Sequence, residues 1–208
     1  MLTVNQIIEE KYKANSYVVA DGKECIVIDI NPNTIEFIQQ NELTPYFLFL
    51  THEHFDHIKG TSSLKKMFPN MQIIASPKAS ELMATSQGNL SFFINGTGFD
   101  EIHADIQAED KSEFFFKDKC IKIYHTPGHT TGGIVISIDN MLFTGDTILD
   151  IKTPTTLPNS SKKQLKESTN FIDEMFDNNT IFYQGHGKPF LKSKWDKTIS
   201  LPSIKKNI

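Results

Sequence analysis

The sequence is poor in the features that mark a secreted, disulfide-held or membrane-spanning chain. Cysteine occurs twice in 208 residues, as Cys25 and Cys120, each inside an apolar strand-like run. Such a pair is expected to be two unpaired core residues in a reducing compartment, not a disulfide framework. No run approaches the roughly 20 consecutive apolar residues that span a bilayer. The opening Met1-Leu2-Thr3-Val4-Asn5-Gln6 lacks the cationic and long apolar regions of a secretory signal. No internal repeat or low-complexity segment is present. A dense lysine or arginine stripe is missing too, and the formal charge of −4 argues against a nucleic-acid surface. Lys188, Lys192, Lys194 and Lys197 near the end read as a solvated face. These absences predict a soluble, cytoplasmic protein with neither membrane nor nucleic acid as a partner. Oligomeric state leaves no signal. A hydrophobic fraction of 38% against 22% charged residues is ordinary for a globular chain, and the length suits one domain, 1–208.

What is present is histidine in a telling place. Tyr46-Phe47-Leu48-Phe49-Leu50 is apolar throughout and predicts a buried strand. Thr51-His52-Glu53-His54-Phe55-Asp56-His57 follows at once, with three imidazoles and two carboxylates in six positions from His52 to His57. Imidazole nitrogen and carboxylate oxygen suit divalent ions such as zinc, manganese or ferrous iron. So many ionisable groups at the end of a buried strand would be costly to desolvate unpaired, and a bound cation is the simplest compensation. The alternative is a solvated polar loop.

The same design recurs. His129 lies in His125-Thr126-Pro127-Gly128-His129-Thr130, after Cys120-Ile121-Lys122-Ile123-Tyr124. Asp146 lies in Gly145-Asp146-Thr147 after Met141-Leu142-Phe143, and His186 in Gly185-His186-Gly187 after Thr180-Ile181-Phe182-Tyr183. Each loop carries glycine, which lets backbone bend sharply and approach an ion closely.

Thr-His-x-His-x-Asp-His, Pro-Gly-His-Thr, Gly-Asp-Thr and Gly-His-Gly together resemble the metallo-β-lactamase superfamily in its glyoxalase II-like branch, from about Asn15 to Lys188. The resemblance implies an αββα sandwich, two mixed β-sheets flanked by helices, with metals at one edge between the sheets. It implies two divalent ions, zinc in the first place, with iron or manganese as alternatives. One would take His52, His54 and His129, the other Asp56, His57 and His186, with Asp146 bridging both. It further implies that Asp29, which ends a strand, supports the metal loop from outside the ligand set. His125 is expected to be a supporting or surface residue, and His103 to be solvated.

Taken in order, Tyr17–Ala20 and Cys25–Ile30 predict a hairpin turning at Asp21-Gly22-Lys23. Asn33-Thr34 can cap a helix through Ile35, Phe37 and Ile38. A helix across Leu64–Phe68, a strand at Met71–Ala75 and a helix opened by Ser76-Pro77 follow. From Thr85 to Phe99 the pattern dissolves, and Phe92, Phe93 and Phe99 either line a pocket or pin the loop to the core. Strands are expected at Glu113–Phe116, Cys120–Tyr124, Ile134–Ile138 and Met141–Phe143. A long connection, Ile148–Ser160, leads to a helix on Leu165, Ser168, Ile172 and Met175-Phe176. Phe92, Phe93 or Phe99 and the Ile148–Pro158 stretch are expected to flank the metal edge.

The function implied is a metal-dependent hydrolase that cleaves a thioester with a metal-bridging hydroxide. Glyoxalase II enzymes acting on glutathione thioesters usually add a helical region with cationic contacts, whereas 22 residues, 187–208, follow His186 here. The basic residue that often follows the Gly-Asp motif is replaced by Thr153-Pro154-Thr155-Thr156-Leu157-Pro158, with Lys152 the nearest stand-in. A smaller or carrier-bound acyl thioester is therefore expected as the substrate partner, with lactone hydrolysis a close variant. Persulfide dioxygenases share the motifs but hold a single ferrous ion on residues matching His52, His129 and Asp146, which makes them the alternative of another class. A protein keeping metals only structurally is disfavoured, because structural sites are closed and saturated.

Overall fold

Central strands that are apolar on both faces decide the architecture. β1 (Thr3–Ile8), β2 (Asn15–Asp21), β3 (Glu24–Ile28), α1 (Pro32–Gln40), β4 (Thr44–Phe49), α2 (Phe55–Ile58), α3 (Thr61–Met67), β5 (Gln72–Ala75), α4 (Pro77–Met83), α5 (Phe92–Asn95) and β6 (Ile106–Gln107) come first. They build one sheet in the order β1-β2-β3-β4-β5-β6. β7 (Glu113–Phe116), β8 (Lys119–His125), β9 (Ile134–Ile138), β10 (Met141–Gly145), α6 (Lys162–Met175), β11 (Ile181–Gln184) and β12 (Phe190–Leu191) follow. They build the second, in the order β12-β11-β10-β9-β8-β7. The computed structural model describes residues 1–96, 98 and 102–200, so Phe99 lies outside the described residues. Among these, no helix is long and apolar enough to cross a membrane.

Side chains in a strand alternate between faces. Tyr17, Val19, Ile26 and Ile28 therefore turn toward Ile121, Ile123, Ile134 and Ile136 in the layer between the sheets. Val18, Cys25, Val27 and Leu48 turn outward onto Ile38, Ile58, Leu64 and Met83 of the helices. Across the other sheet, Val135, Leu142 and Phe182 receive Ile172 of α6, whose buried Leu165, Ser168, Thr169 and Ile172 are spaced as one helical face. The expected αββα sandwich is thus the observed one.

Both sheets are mixed, and the parallel pairs matter for the site. β3 and β4 run parallel, as do β10 and β11, so each pair delivers its C-terminal loops side by side at one edge. The hairpin turn at Gly22 and the Ser76 cap are as expected, Ser76 Oγ accepting from the Ala79 N–H at 3.1 Å. The cap of α1 is not. Asn31, not Asn33 or Thr34, is the cap residue, its Oδ1 accepting from the Thr34 N–H at 3.2 Å while Pro32 takes the first helical turn. Thr34 instead donates its hydroxyl to the same oxygen at 3.1 Å.

Candidate metal centre

The motif after β4 is fastened before it can hold anything. Asp29 directly follows β3 with φ +54° and aims its carboxylate across to the neighbouring strand end. Its Oδ1 accepts the Thr51 backbone N–H at 2.7 Å. Its Oδ2 accepts the Thr51 hydroxyl at 2.8 Å and lies 2.9 Å from Nδ1 of His57. Because a carboxylate only accepts, His57 carries its proton on Nδ1 there and turns Nε2 inward. The Thr51 hydroxyl donates its hydrogen bond to Asp29, so its lone pair accepts from Nδ1 of His52 at 3.0 Å. That leaves Nε2 of His52 a bare lone pair, buried and without a partner. His129 is set the same way, Nδ1 donating to the Pro154 carbonyl at 2.9 Å.

The seven expected residues converge. Donor atoms of His52, His54 and His129 lie within 4.8 Å of one another, and those of Asp56, His57 and His186 form a second such group. Asp146 stands between them. Its Oδ1 is 3.6 Å from Nε2 of His57, and its Oδ2 is 3.5 Å from Nε2 of His129 and 3.4 Å from Nε2 of His186. Nδ1 of His54 and Nε2 of His129 face each other at 3.0 Å, and the Nε2 atoms of His57 and His186 at 3.3 Å. Two nitrogens sharing a tetrahedral ion at ~2.0–2.1 Å stand about 3.4 Å apart, so these pairs fit one cation each. Asp29, His52 and His57 also cluster. Asp29, however, already accepts three hydrogen bonds and serves to orient the histidines.

Two backbone approaches require glycine. A Cβ on Gly185 would stand 2.1 Å from Oδ1 of Asp146, and one on Gly145, where φ is +47°, 2.4 Å from Oγ1 of Thr51. The Gly185 N–H also donates to the Gly145 carbonyl at 2.7 Å, locking the Asp146 and His186 loops together.

The electrostatics separate the histidines, and a cation bound at His57 would displace the proton from its Nε2. Burial, then neighbouring imidazoles, holds His52 well below the usual histidine range and His54 down at about 3, so both are neutral ligands in waiting. Burial opposes charge on His57 as well, but Asp56, Asp146 and Asp29 outweigh it and push its pKa up to about 10. Asp146 is held well below the carboxylate range, since His186, His57 and His129 overcome its burial.

The other sequence candidates fall elsewhere. Nε2 of His125 donates to the Ala108 carbonyl at 2.8 Å, away from the cluster, so His125 is structural. Glu53, counted above among the groups needing a cation, does not reach the centre. It is buried behind it, with Oε2 accepting from Thr130 Oγ1 at 3.1 Å. A cavity of about 550 Å³ opens over His54, Asp56, His129, Asp146 and His186. Phe93 and Pro154, Leu157 and Pro158 line it as expected, whereas Phe92 does not. Ile148, at the start of the same connection, is packed into the core against Ile172 and Phe182. Lys152 is exposed and outside the cavity lining. Sequence reasoning missed Tyr12, Phe55, Leu90 and Ile94 of that lining. Phe55 carried a signal, since it lies inside the motif, while Tyr12 is brought in by the β1–β2 turn.

A family model described as the metallo-beta-lactamase superfamily matches residues 11–186. The chain is 26% identical to a hydroxyacylglutathione hydrolase of Wigglesworthia glossinidia brevipalpis, over 88% of this chain and 74% of that protein. It is 30% identical to the probable metallo-hydrolase MJ0888 of Methanocaldococcus jannaschii, over 85% of this chain and 89% of that one. The crystal structure of the BLEG-1 B3 metallo-beta-lactamase superposes with a TM-score of 0.85 at 24% identity, over 92% of this chain and 95% of that one, a likeness of fold.

Proposed function

The chain belongs to the metallo-beta-lactamase superfamily, and from that premise we propose that it hydrolyses an acyl thioester at a dinuclear metal centre. His52, His54 and His129 would hold one cation, Asp56, His57 and His186 the other, and Asp146 would bridge. The observation that carries the reading is the placement of Asp146 between two separate donor groups, with one oxygen toward His57 and the other toward His129 and His186. Two divalent cations there would supply a hydroxide at neutral pH, by lowering the pKa of water from about 16 to about 7, and would polarise a carbonyl. Zinc is the first choice, since three imidazoles in one group suit it, with iron or manganese also compatible.

The protein's own part is orientation and charge. Asp29 fixes His57 and, through Thr51, His52, so that lone pairs and not N–H groups face the centre. Asp146 contributes negative charge to both donor groups. In the overall step, water oxygen bonds to the acyl carbon and the carbon–sulfur bond breaks. Its electron pair leaves with sulfur, which takes one of the water protons, and the products are a carboxylate, a thiol and one proton released to solvent. A thiol of pKa about 8.5 makes a good leaving group, so no serine or cysteine nucleophile is needed. The relative named a hydroxyacylglutathione hydrolase supports release of an acyl group from a thiol carrier.

The test is metal analysis joined to a substrate panel of a thioester, a lactone and glutathione persulfide, run on zinc-, manganese- and iron-loaded protein. We expect two divalent ions per chain and thioester cleavage that chelation abolishes. One iron per chain with oxygen uptake on the persulfide would refute the hydrolase reading in favour of a dioxygenase. A preference for the lactone would keep the centre and change the substrate.

A further inference from the structure

The walls of the cavity differ sharply from its base. His54, Asp56, His129, Asp146 and His186 form the polar part, and among the described residues all the others that line it are apolar or aromatic. Phe55 and Leu90 are drawn in by the metal loop itself, the Phe55 N–H donating to the Asn89 carbonyl at 2.9 Å. Phe93 and Ile94 follow on α5, and the opposite stretch supplies Pro154, Leu157 and Pro158. That stretch is tied to the centre by the His129 to Pro154 hydrogen bond and by the Ser161 N–H, which donates to the Gly128 carbonyl at 2.8 Å. Both apolar walls are therefore fixed relative to the reacting position.

Three of these side chains lie unusually open for their kind. Phe93 is 67% exposed, Ile94 45% and Leu157 38%. Apolar surface left in water over a polar centre is surface that a bound apolar group would cover. Among the described residues no lysine lines the cavity walls, and none of the 208 residues is arginine. A carboxylate entering there would lose hydration with no ammonium or guanidinium to replace it.

We infer that the acyl group cleaved at this centre is an uncharged, apolar chain of medium length, seated between Phe93-Ile94 and the Pro154–Pro158 stretch. Phe93 and Leu157 set its length preference. The inference rests on the hydrolase reading and names the substrate class of the same site. A glutathione conjugate, with two carboxylates, is accordingly a poor substrate, and a neutral thiol carrier a good one.

The experiment uses the zinc-loaded full chain and N-acetylcysteamine thioesters from acetyl through butyryl and hexanoyl to octanoyl, beside lactoylglutathione and γ-lactones with alkyl tails. Transfer of one methylene out of water corresponds to about fourfold, or about 0.8 kcal/mol. We expect kcat/KM to climb by about that factor per methylene through hexanoyl, and Phe93→Ala or Leu157→Ala to lower the octanoyl-to-acetyl ratio about tenfold. Met175→Ala, at an exposed position on α6 outside the cavity lining, should leave the ratio unchanged. A second readout needs no turnover: calorimetry with unreactive N-methyloctanamide should show binding at least about tenfold tighter than N-methylacetamide, with a negative heat-capacity change. Thioester cleavage that is flat in chain length, faster on lactoylglutathione, or length-dependent only among the lactones overturns the inference and leaves the hydrolase reading standing. No turnover anywhere on the panel removes both, even if the amide binds.

Discussion

Replacing Asp29 by asparagine tests the logic of the centre without touching a ligand. The change keeps shape and burial but swaps one acceptor oxygen for an NH2 donor. Asparagine can still accept the Thr51 N–H, now held at 2.7 Å by Oδ1. Its amide nitrogen then meets the Thr51 hydroxyl and Nδ1 of His57, which Oδ2 receives at 2.8 and 2.9 Å. Both were donors, so both must reverse. His57 can comply by moving its proton to Nε2, which removes the lone pair that faces Asp146 and His186. Thr51 can comply by accepting, which frees its own proton to turn toward Nδ1 of His52 and press that ring into the other tautomer. One substitution therefore spoils a ligand in each donor group. Losses of this outer kind cost about 10–100-fold in metal affinity, or about 1.4–2.7 kcal/mol. Breaking the buried His57–Asp29 pair adds about 3–5 kcal/mol of lost stability. Competition with a chelator measures the first and thermal unfolding in that chelator the second. An Asp29→Asn protein with unchanged metal affinity would refute the tautomer argument, and one with unchanged melting would show that the pair is not stabilising.

Gly185→Ala should drive a methyl group into Asp146, given the 2.1 Å approach, and cost about 1–3 kcal/mol together with metal content, read by unfolding and elemental analysis. His129→Ala should lose one metal per chain, whereas His125→Ala should keep both and cost about 1 kcal/mol for its hydrogen bond to Ala108. Burial pushes the Cys25 thiol up to about 12, above its ordinary value of 9.0, so the folded state disfavours the thiolate. Its contribution to stability is accordingly whole below pH 9.0 and declines from there toward 12. At pH 8 a thiol reagent should label the half-buried Cys120 and spare Cys25 until denaturant is added, and equal labelling in the folded protein would contradict the buried placement.

The metal loops were legible because their chemistry is local. Each follows a strand whose apolar run announces it, and glycine marks each close approach. Tertiary pairing hid the rest. β1, Thr-Val-Asn-Gln-Ile-Ile, carries no clean alternation and becomes a strand by pairing antiparallel with β2. α2 lies inside the ligand motif and is held from outside, the Ile30 N–H donating to the His57 carbonyl at 2.8 Å. The cap of α1 was misplaced by two residues because Asn31, Asn33 and Thr34 are all good caps. Asn31 is the one that precedes Pro32, the residue that takes the first helical turn, and its Oδ1 accepts from the Thr34 N–H at 3.2 Å. The aromatics after Thr85 divided for a similar reason. A four-residue helix at Phe92–Asn95 turns Phe93 and Ile94 to the cavity and Phe92 away from its lining.

Glu53 and Asp146 show how placement, not composition, decides what a buried acid does. Both are nearly inaccessible to water, and burial opposes ionisation of each. Asp146 faces three imidazoles, and their charge overrides burial, so it is an ionised carboxylate ready to bridge. Glu53 sits between His52 and His54 in sequence yet points away from them, toward Thr130 and Gly132. A hydroxyl stabilises its anion too weakly, and burial carries its pKa up to about 7. Its other oxygen has no partner. The crowd of acids and bases in the motif is thus two populations, and only the one turned to the centre calls for a cation. A carboxylate at position 53 aimed inward would have added negative charge to a site whose two donor groups are already joined by one acid. Turned outward, it leaves Asp146 as the single charge shared between them, which is the condition a bridging ligand requires.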